Sequence, residues 1–261
     1  MSTTLPTRSK TTRRRLFAGG LVTTAAALVA VAATPASAVY GGSGSTTQAA
    51  PFMVVLENPD GSQWCGGALI APDKVLTAGH CVKNSPDPKG LLVIGGRTDL
   101  KSKAGQVRHV KSAKVAPKYN WSLEHDAAVI TLDKPLPYKT LRVATKKDAA
   151  LYANGRTATV YGWGLTATDT LGQKLKKATL TLSAPAACDP FMATDDPTLK
   201  LCGTSTKGRT DSVCSGDSGG PLVAGDVIVG IVSAGNKFCN AEFPVSVFTN
   251  VATVGPEIGL K

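Results

Sequence analysis

This chain of 261 residues lacks the signatures of several protein classes. No stretch keeps an apolar period of 3.6 residues, so long amphipathic helices are not expected. No internal repeat is visible. None of the six cysteines belongs to a C-x-x-C pair, the spacing that metal sites favour. The absence of these patterns leaves β structure as the main prediction.

Short apolar runs rich in β-branched residues recur between turn clusters such as Asn58-Pro59-Asp60-Gly61. Such spacing predicts an all-β fold of barrels or a sandwich. The segment 135–154 shows little hydrophobic periodicity, and we expect it to link two halves of the fold. Near the C-terminus, Gly255-Pro256 allows at most a helical turn. The predicted strands are 52–57, 64–70, 74–78, 91–95, 106–115, 127–132, 156–163, 177–183, 227–233 and 245–251.

The first 38 residues have the parts of an export signal. Residues 1–15 are basic without any acid, 16–33 are apolar, and Ala36-Ser37-Ala38 supplies an A-x-A cleavage pattern. We predict a signal peptide over 1–38. The arginines at 13–15 also suit a twin-arginine signal, so the export route stays open. Glycines and threonines within the apolar stretch argue against the alternative of a stable membrane anchor.

Cleavage after residue 38 would lower the formal net charge from +11 to +6, because five of the 29 basic residues and none of the 18 acidic ones would leave. One basic run remains, between Lys101 and Lys118. No aromatic platform accompanies this run, so we interpret it as a solvated strand edge and expect no nucleic acid partner.

All six cysteines lie in the segment that would be exported. An even number of cysteines outside the cytosol predicts three disulfides, and fifteen pairings remain open on this reasoning.

Three stretches carry residues suited to catalysis: 76–81 with His80, 124–130 with Asp126, and 214–221 with Ser218. Each alone has an ordinary structural interpretation as a core histidine, a strand cap or a glycine turn. Together they supply a nucleophile, a base to take its proton and an acid to orient that base.

The order of these residues discriminates between folds. Residues 216–220 also fit G-x-S-x-G, the nucleophile elbow of α/β-hydrolases, in which the acid and the histidine follow the serine. Here His80, His109 and His125 all precede Ser218. The elbow interpretation therefore fails, and the order histidine, aspartate, serine is that of the chymotrypsin arrangement.

The sequence resembles the chymotrypsin/trypsin-like serine endopeptidases over 39–251, and it looks like a bacterial secreted member. The resemblance is carried by these motifs and by the framework segments 64–70, 162–164 and 229–233. The resemblance implies two six-stranded antiparallel β-barrels, about 52–135 and 155–251, with the active site in the cleft between them. It implies a secreted, monomeric enzyme that hydrolyses peptide bonds through an acyl-enzyme. Protein or peptide substrates are the implied partners, and protein protease inhibitors would use the same cleft.

Alternatives on the same fold stay open. One is a catalytically silent binding protein, although the chain retains all three catalytic residue types. The other is an esterase or a narrowly tuned processing enzyme.

The resemblance also implies roles for individual residues. His80 would be general base and then general acid, Asp126 would orient its ring, and Ser218 would attack the substrate. The backbone N–H groups of Gly216 and Ser218 would form the oxyanion hole, and Ser233 would flank Asp126 and border the substrate pocket. The implied disulfides are Cys65–Cys81, Cys188–Cys202 and Cys214–Cys239.

Members of this family begin with an aliphatic residue followed, after one more residue, by two glycines, and here Val39-Tyr40-Gly41-Gly42 directly follows Ala38. By resemblance, the freed ammonium of Val39 would pair with Asp217. We therefore expect signal cleavage itself to activate the enzyme.

Two interpretations of the primary pocket remain open. Counting from Ser218 places Ser212 at its base beside Val213, with Gly235 and Ser246 in the walls, which predicts an uncharged pocket for apolar side chains. A one-residue bulge would instead bring Asp211 to the base and select Lys or Arg.

The chain also departs from the family. Ala234 stands where the family usually has tryptophan, which puts the preference for upstream side chains in doubt. Asp99 has no second nearby carboxylate, so the calcium site of some relatives is not expected, and we predict neither metal nor cofactor.

Overall fold

The computed structural model describes residues 1–3, 39–165, 173–192, 194–236, 238–239 and 242–261. The prediction of a signal peptide, of either export type, falls on the range 4–38, outside the described residues. Contacts divide the chain into Met1–Thr34 and a second compact unit, Pro35–Lys261, which holds the fold. No helix in the described ranges is long and apolar enough to cross a membrane.

The first half of the unit is a closed antiparallel barrel. A short strand, β1 (Ser43–Gly44), precedes it. The six barrel strands pair in the order β2-β3-β4-β7-β6-β5, so the first and last strands meet and no edge is left open. They are β2 (Met53–Glu57), β3 (Gln63–Ala71), β4 (Lys74–Thr77), β5 (Leu92–Gly95), β6 (Gln106–Val115) and β7 (Ala128–Leu132).

The second half repeats this architecture. Strands β9, β10, β11, β14, β13 and β12 pair in that order, and β12 pairs back to β9, while β1 adds to β10 and β8 runs parallel to β13. The strands are β8 (Arg142–Val143), β9 (Thr157–Gly162), β10 (Lys176–Ser183), β11 (Lys200–Ser205), β12 (Pro221–Ala224), β13 (Val227–Gly235) and β14 (Val245–Asn250). The all-β fold of two six-stranded antiparallel barrels is thus confirmed.

The helices among the described residues are short. They are α1 (Gly79–Lys83), α2 (Val251–Val254) and the 3-10 helices Lys146–Leu151, Pro185–Cys188, Pro197–Leu199 and Gly255–Ile258. The linking segment 135–154 contains β8 and one of these 3-10 helices, so it packs against the second barrel rather than bridging freely. Strands β11 and β12 have no counterpart among the predicted strands.

The cysteines form the three disulfides that the resemblance implies: Cys65–Cys81, Cys188–Cys202 and Cys214–Cys239. The first joins β3 to α1, the helix that carries His80. The last closes a loop with a sequence separation of 25 residues that contains Ser218. Each bridge removes conformations from the unfolded chain and so stabilises the fold.

Phe248, on β14, is fully buried in the apolar core, whereas Phe243 just before that strand is 52% exposed. Replacing Phe248 with Ala should lower the free energy of unfolding by about 3–5 kcal/mol, because it removes a buried ring and leaves a cavity. Phe243→Ala should change it by less than about 1 kcal/mol. Urea unfolding in a Ser218→Ala background, which prevents self-digestion, measures both; equal effects would contradict the assigned core.

Candidate active site

His80 and Asp126 form a close pair in the first barrel. His80 lies in α1, and Asp126 comes just before β7. The His80 Nδ1 atom is 2.9 Å from Asp126 Oδ2, and the His80 backbone N–H donates to Asp126 Oδ1 at 2.8 Å. The aspartate side chain is fully buried, and that of His80 is 15% exposed. With Nδ1 directed at a carboxylate, the ring carries its proton there and leaves Nε2 as the acceptor.

The second barrel holds the same aspartate. Ser233 Oγ, on β13, donates to Asp126 Oδ2 at 2.7 Å, and Thr249 Oγ1, on β14, donates to the Asp126 backbone carbonyl at 2.8 Å. Burial acts to raise the pKa of Asp126, but the hydrogen bonds and charge of His80 and the Ser233 hydroxyl outweigh it and hold this pKa below its ordinary value. The carboxylate therefore stays ionised at neutral pH.

Ser218 sits on a turn tied to both barrels. Its carbonyl accepts from the Gly66 N–H of β3 at 2.8 Å, and the next residue, Gly219, donates to Val232 O of β13 at 2.9 Å. Gly219 has φ of 78°, a conformation that favours glycine. A Cβ on Gly219 would also collide with Thr77, three residues before His80. The glycine thus lets the serine turn approach the strand that leads to the histidine.

No hydrogen bond joins Ser218 Oγ to His80 within the described part of the chain. The His80 ring contacts Asp126 and, through Nε2 at 3.7 Å, the sulfur of Cys81. In unliganded enzymes the bond between nucleophile and base is often long and tightens only around substrate. Ser218 lines the same cavity as Ser233, whose hydroxyl binds Asp126.

The backbone before Ser218 is fixed in an unusual conformation. Gly216 has φ of 93°, and its carbonyl accepts from Gln63 Nε2 of β3 at 3.0 Å. The Asp217 N–H donates to Cys214 O at 3.0 Å and closes the turn. Gln63 escaped the sequence analysis because nothing in its local pattern indicates a partner 153 positions away.

Asp217 is fully buried, and its carboxylate accepts from the backbone N–H groups of Gly164 at 2.8 Å and Cys214 at 2.9 Å. Burial raises its pKa to about 7, although both N–H donors act to lower it. Val39 is also fully buried, and its carbonyl accepts from Gly42 N–H at 2.8 Å. In the uncut chain the Val39 nitrogen belongs to a peptide bond, so it brings no positive charge to this carboxylate.

A cavity of about 190 Å³ opens beside Ser218. No charged side chain is among its described lining residues, which are Leu123, Val213, Cys214, Ser215, Ser218, Val232, Ser233, Ala234, Gly235 and Asn236. Ser246 lies behind this wall, where its Oγ accepts from Val213 N–H at 3.0 Å. Ser212 is fully buried, and its N–H donates to Tyr40 O at 3.0 Å.

Neither Asp211 nor Ser212, the two alternative bases of the pocket, is among the described residues that line the cavity. The Asp211 carboxylate forms an ion pair with Arg209, and the same arginine donates to Gly41 O at 3.0 Å. The backbone and the carboxylate of Asp211 pack against Gly41. Its negative charge is therefore neutralised beside the segment that follows Val39.

One group of potential metal ligands occurs among the described residues: Cys65, Cys81 and His80. Both sulfur atoms are joined in a disulfide, and Nδ1 of the imidazole is occupied by Asp126. A disulfide sulfur is not the thiolate that metals bind, so these residues do not suit a metal centre.

Comparison with known proteins agrees with this geometry. The sequence model of the Trypsin family matches residues 39–258. The chain is 37% identical to a trypsin of Saccharopolyspora erythraea, with 76% of this chain and 86% of the relative aligned. It is also 37% identical to a trypsin-like protease of Streptomyces glaucescens (84% and 81%) and 34% identical to a chymotrypsin of Phaedon cochleariae (78% and 74%).

Among solved structures, human heparin binding protein superposes with a TM-score of 0.68 at 23% identity, covering 82% of this chain and 92% of that one. At this identity the likeness supports the fold alone. The family match over nearly all of the two-barrel unit, together with the sequence relatives, carries the assignment further: the chain belongs to the trypsin family and is a serine endopeptidase of chymotrypsin fold.

Proposed function

We propose that this protein is a secreted endopeptidase in which Ser218 is the nucleophile, His80 the general base and then acid, and Asp126 the residue that orients the base. The observation that carries the proposal is the buried Asp126 carboxylate, bound by His80 from one barrel and Ser233 from the other. This arrangement commits His80 Nδ1 to Asp126 and leaves Nε2 as the ring nitrogen that can accept a proton.

The reaction follows from these positions. Ser218 Oγ attacks the scissile carbonyl carbon while His80 Nε2 takes its proton, and the imidazolium then protonates the leaving amine to give an acyl-enzyme. Water, activated by the same nitrogen, attacks the ester and releases the acid product. The N–H groups of Gly216 and Ser218 would stabilise the oxyanion. Gln63 binds the carbonyl of Gly216 and so restrains the backbone between these two N–H groups.

A serine-directed phosphonate, applied to the protein that begins at Val39, tests this assignment. We expect one phosphonate per protein, attached to Ser218, since only an activated serine reacts. His80→Ala should slow labelling at least about 1000-fold. His109→Ala, which alters an exposed histidine on β6, should label as the unchanged protein does. Mass spectrometry locates the adduct; labelling of another serine, or full labelling without His80, would contradict the proposed triad.

Maturation would complete the site through Asp217. A fully buried carboxylate with two N–H donors and no cation within the described contacts has a raised pKa. Val39 is already buried, and Tyr40 pairs with Ser212, so the residues of the new terminus are docked beforehand. Val39 also has φ of 54°, an unfavourable conformation for a β-branched residue, which cleavage would release. Cutting before Val39 would supply an ammonium to pair with Asp217.

A protein that begins at Ala38 should have at least about 100-fold less activity than one that begins at Val39, because the buried carboxylate lacks its cation. Val39→Ile in the mature form is the control and should remain active. Titration with the phosphonate and peptide hydrolysis measure the difference. Full activity of the extended protein would refute activation by cleavage.

Stability should depend on pH in the same extended protein. The folded Asp217 pKa of about 7 exceeds its ordinary value of 3.8, so the folded state binds a proton more tightly than the unfolded state. The free energy of unfolding should therefore fall by up to about 4 kcal/mol as pH rises from 4 to 7. In the mature protein the ammonium lowers this pKa and removes the decline. Urea midpoints at pH 4.5 and 7.5 compare the two forms; parallel profiles would contradict the pairing.

The cavity supports a preference for apolar side chains before the scissile bond. Its described lining carries no charge, and its volume of about 190 Å³ suits one side chain, since a cavity of about 150 Å³ holds a benzene ring. Asp211, the one acid that could have selected Lys or Arg, is bound to Arg209. The proposed specificity is aromatic or medium aliphatic.

Peptides that differ only in this side chain test the pocket. We expect kcat/KM for Phe or Leu to exceed that for Lys by about 100-fold or more, because an ammonium in an uncharged cavity lacks a partner. Asp211→Asn should leave this ratio unchanged. Preferred cleavage after Lys that disappears in Asp211→Asn would overturn the assignment and restore the acidic pocket.

A further inference from the structure

Lys200 is a buried cation next to the proposed triad. It opens β11 and is 4% exposed, although lysine is rarely buried without a partner. Its ammonium donates to the backbone carbonyl of Leu123 and, at 3.1 Å, to Ser233 Oγ. Ser233 is the residue whose hydroxyl binds Asp126. The lysine therefore reaches the catalytic carboxylate through one intervening side chain.

These contacts form a chain with a fixed direction. Lysine can only donate, and a serine hydroxyl has one hydrogen to donate. Because Lys200 supplies a hydrogen to Ser233 Oγ, the serine directs its own to Asp126 Oδ2, at 2.7 Å. Asp126 Oδ2 in turn receives His80 Nδ1 at 2.9 Å. Hydrogen bonds in such a series polarise one another in the same sense.

We propose that Lys200 is a positioning residue that fixes the Ser233 hydroxyl on Asp126 and places a positive charge beside the proposed triad. The inference rests on the proposed roles of His80, Asp126 and Ser218. Lys200 touches neither the substrate nor the reacting atoms, and its influence passes through Ser233.

The charge acts on the network. An ammonium bound to Ser233 disfavours further positive charge on the Asp126–His80 pair, so replacing Lys200 changes the electrostatic balance of that pair. Burial lowers the pKa of Lys200 below its ordinary value, and the carboxylates of Asp126 and Glu124 offset part of this effect by favouring the charged amine.

Other titratable groups surround this network on the neighbouring segments. Hydrogen bonds from Asn120 and from Thr194 and its neighbour lower the pKa of Glu124, and burial together with Asp126 raises that of Tyr119. His125 is bound to Glu257, and Lys83 is exposed at the end of α1. All of these groups remain when Lys200 alone is changed, so they do not account for a difference between the variants.

The pH profile of kcat/KM for an apolar peptide, measured with the mature enzyme, tests the inference. Lys200→Met removes both the charge and the hydrogen bond, whereas Lys200→Gln keeps a donor without the charge. In both variants the acid midpoint should rise by about 0.5–1 pH unit. Activity at pH 6 relative to pH 9 should then fall about 3–10-fold. Lys207→Met, at an exposed lysine after β11, should keep the original profile.

A merely structural lysine would lower activity equally at all pH values without moving the midpoint, and that result would overturn the inference. The His80 titration, followed by proton NMR in Ser218→Ala with and without Lys200→Met, gives the same shift when turnover is too weak to measure. The outcomes separate two failures. Normal phosphonate labelling with unmoved midpoints refutes the role of Lys200 alone, whereas absent labelling in the unchanged enzyme refutes the triad itself.

Discussion

The buried carboxylate of Asp126 is the constraint on which the site depends. Removing an ionised group from water costs several kcal/mol unless hydrogen bonds and charge offset it. Here the compensation is divided, since His80 comes from the first barrel and Ser233 and Thr249 come from the second. Only the docked pair of barrels satisfies the aspartate. The aspartate that joins the two barrels is thus also the one that binds the His80 ring, the proposed base.

Asp217 shows what happens when such compensation is incomplete. Both aspartates are fully buried, and burial acts to raise the pKa of each. Asp126 has side-chain donors and a histidine partner, so its pKa falls, whereas Asp217 has two backbone donors and its pKa rises to about 7. The pKa values of the two carboxyl groups are therefore shifted in opposite directions. A single new ammonium at Val39 would bring Asp217 into the state that Asp126 already has.

The sequence predicted the architecture because strand patterns and ordered motifs are local, whereas the residues it missed act over long distances in the chain. The motifs around His80, Asp126 and Ser218 carry the family's order, and the fold follows from that family. Gln63 and Thr249 make their contacts across 153 and 123 positions, and neither has a local signature. The same holds for Lys200, which looks like a surface lysine at the start of a strand until its burial is known.

A local signal bears on the two interpretations of the pocket. In extended backbone, residues two apart point to the same side and adjacent residues to opposite sides. Ser212 pairs with Tyr40 in an antiparallel bridge, so the chain is extended there. Arg209 and Asp211 then share one side and neutralise each other. An acid two residues after an arginine is thus a poor candidate for the base of a pocket, because its nearest cation is already beside it and a substrate lysine would have to displace that cation.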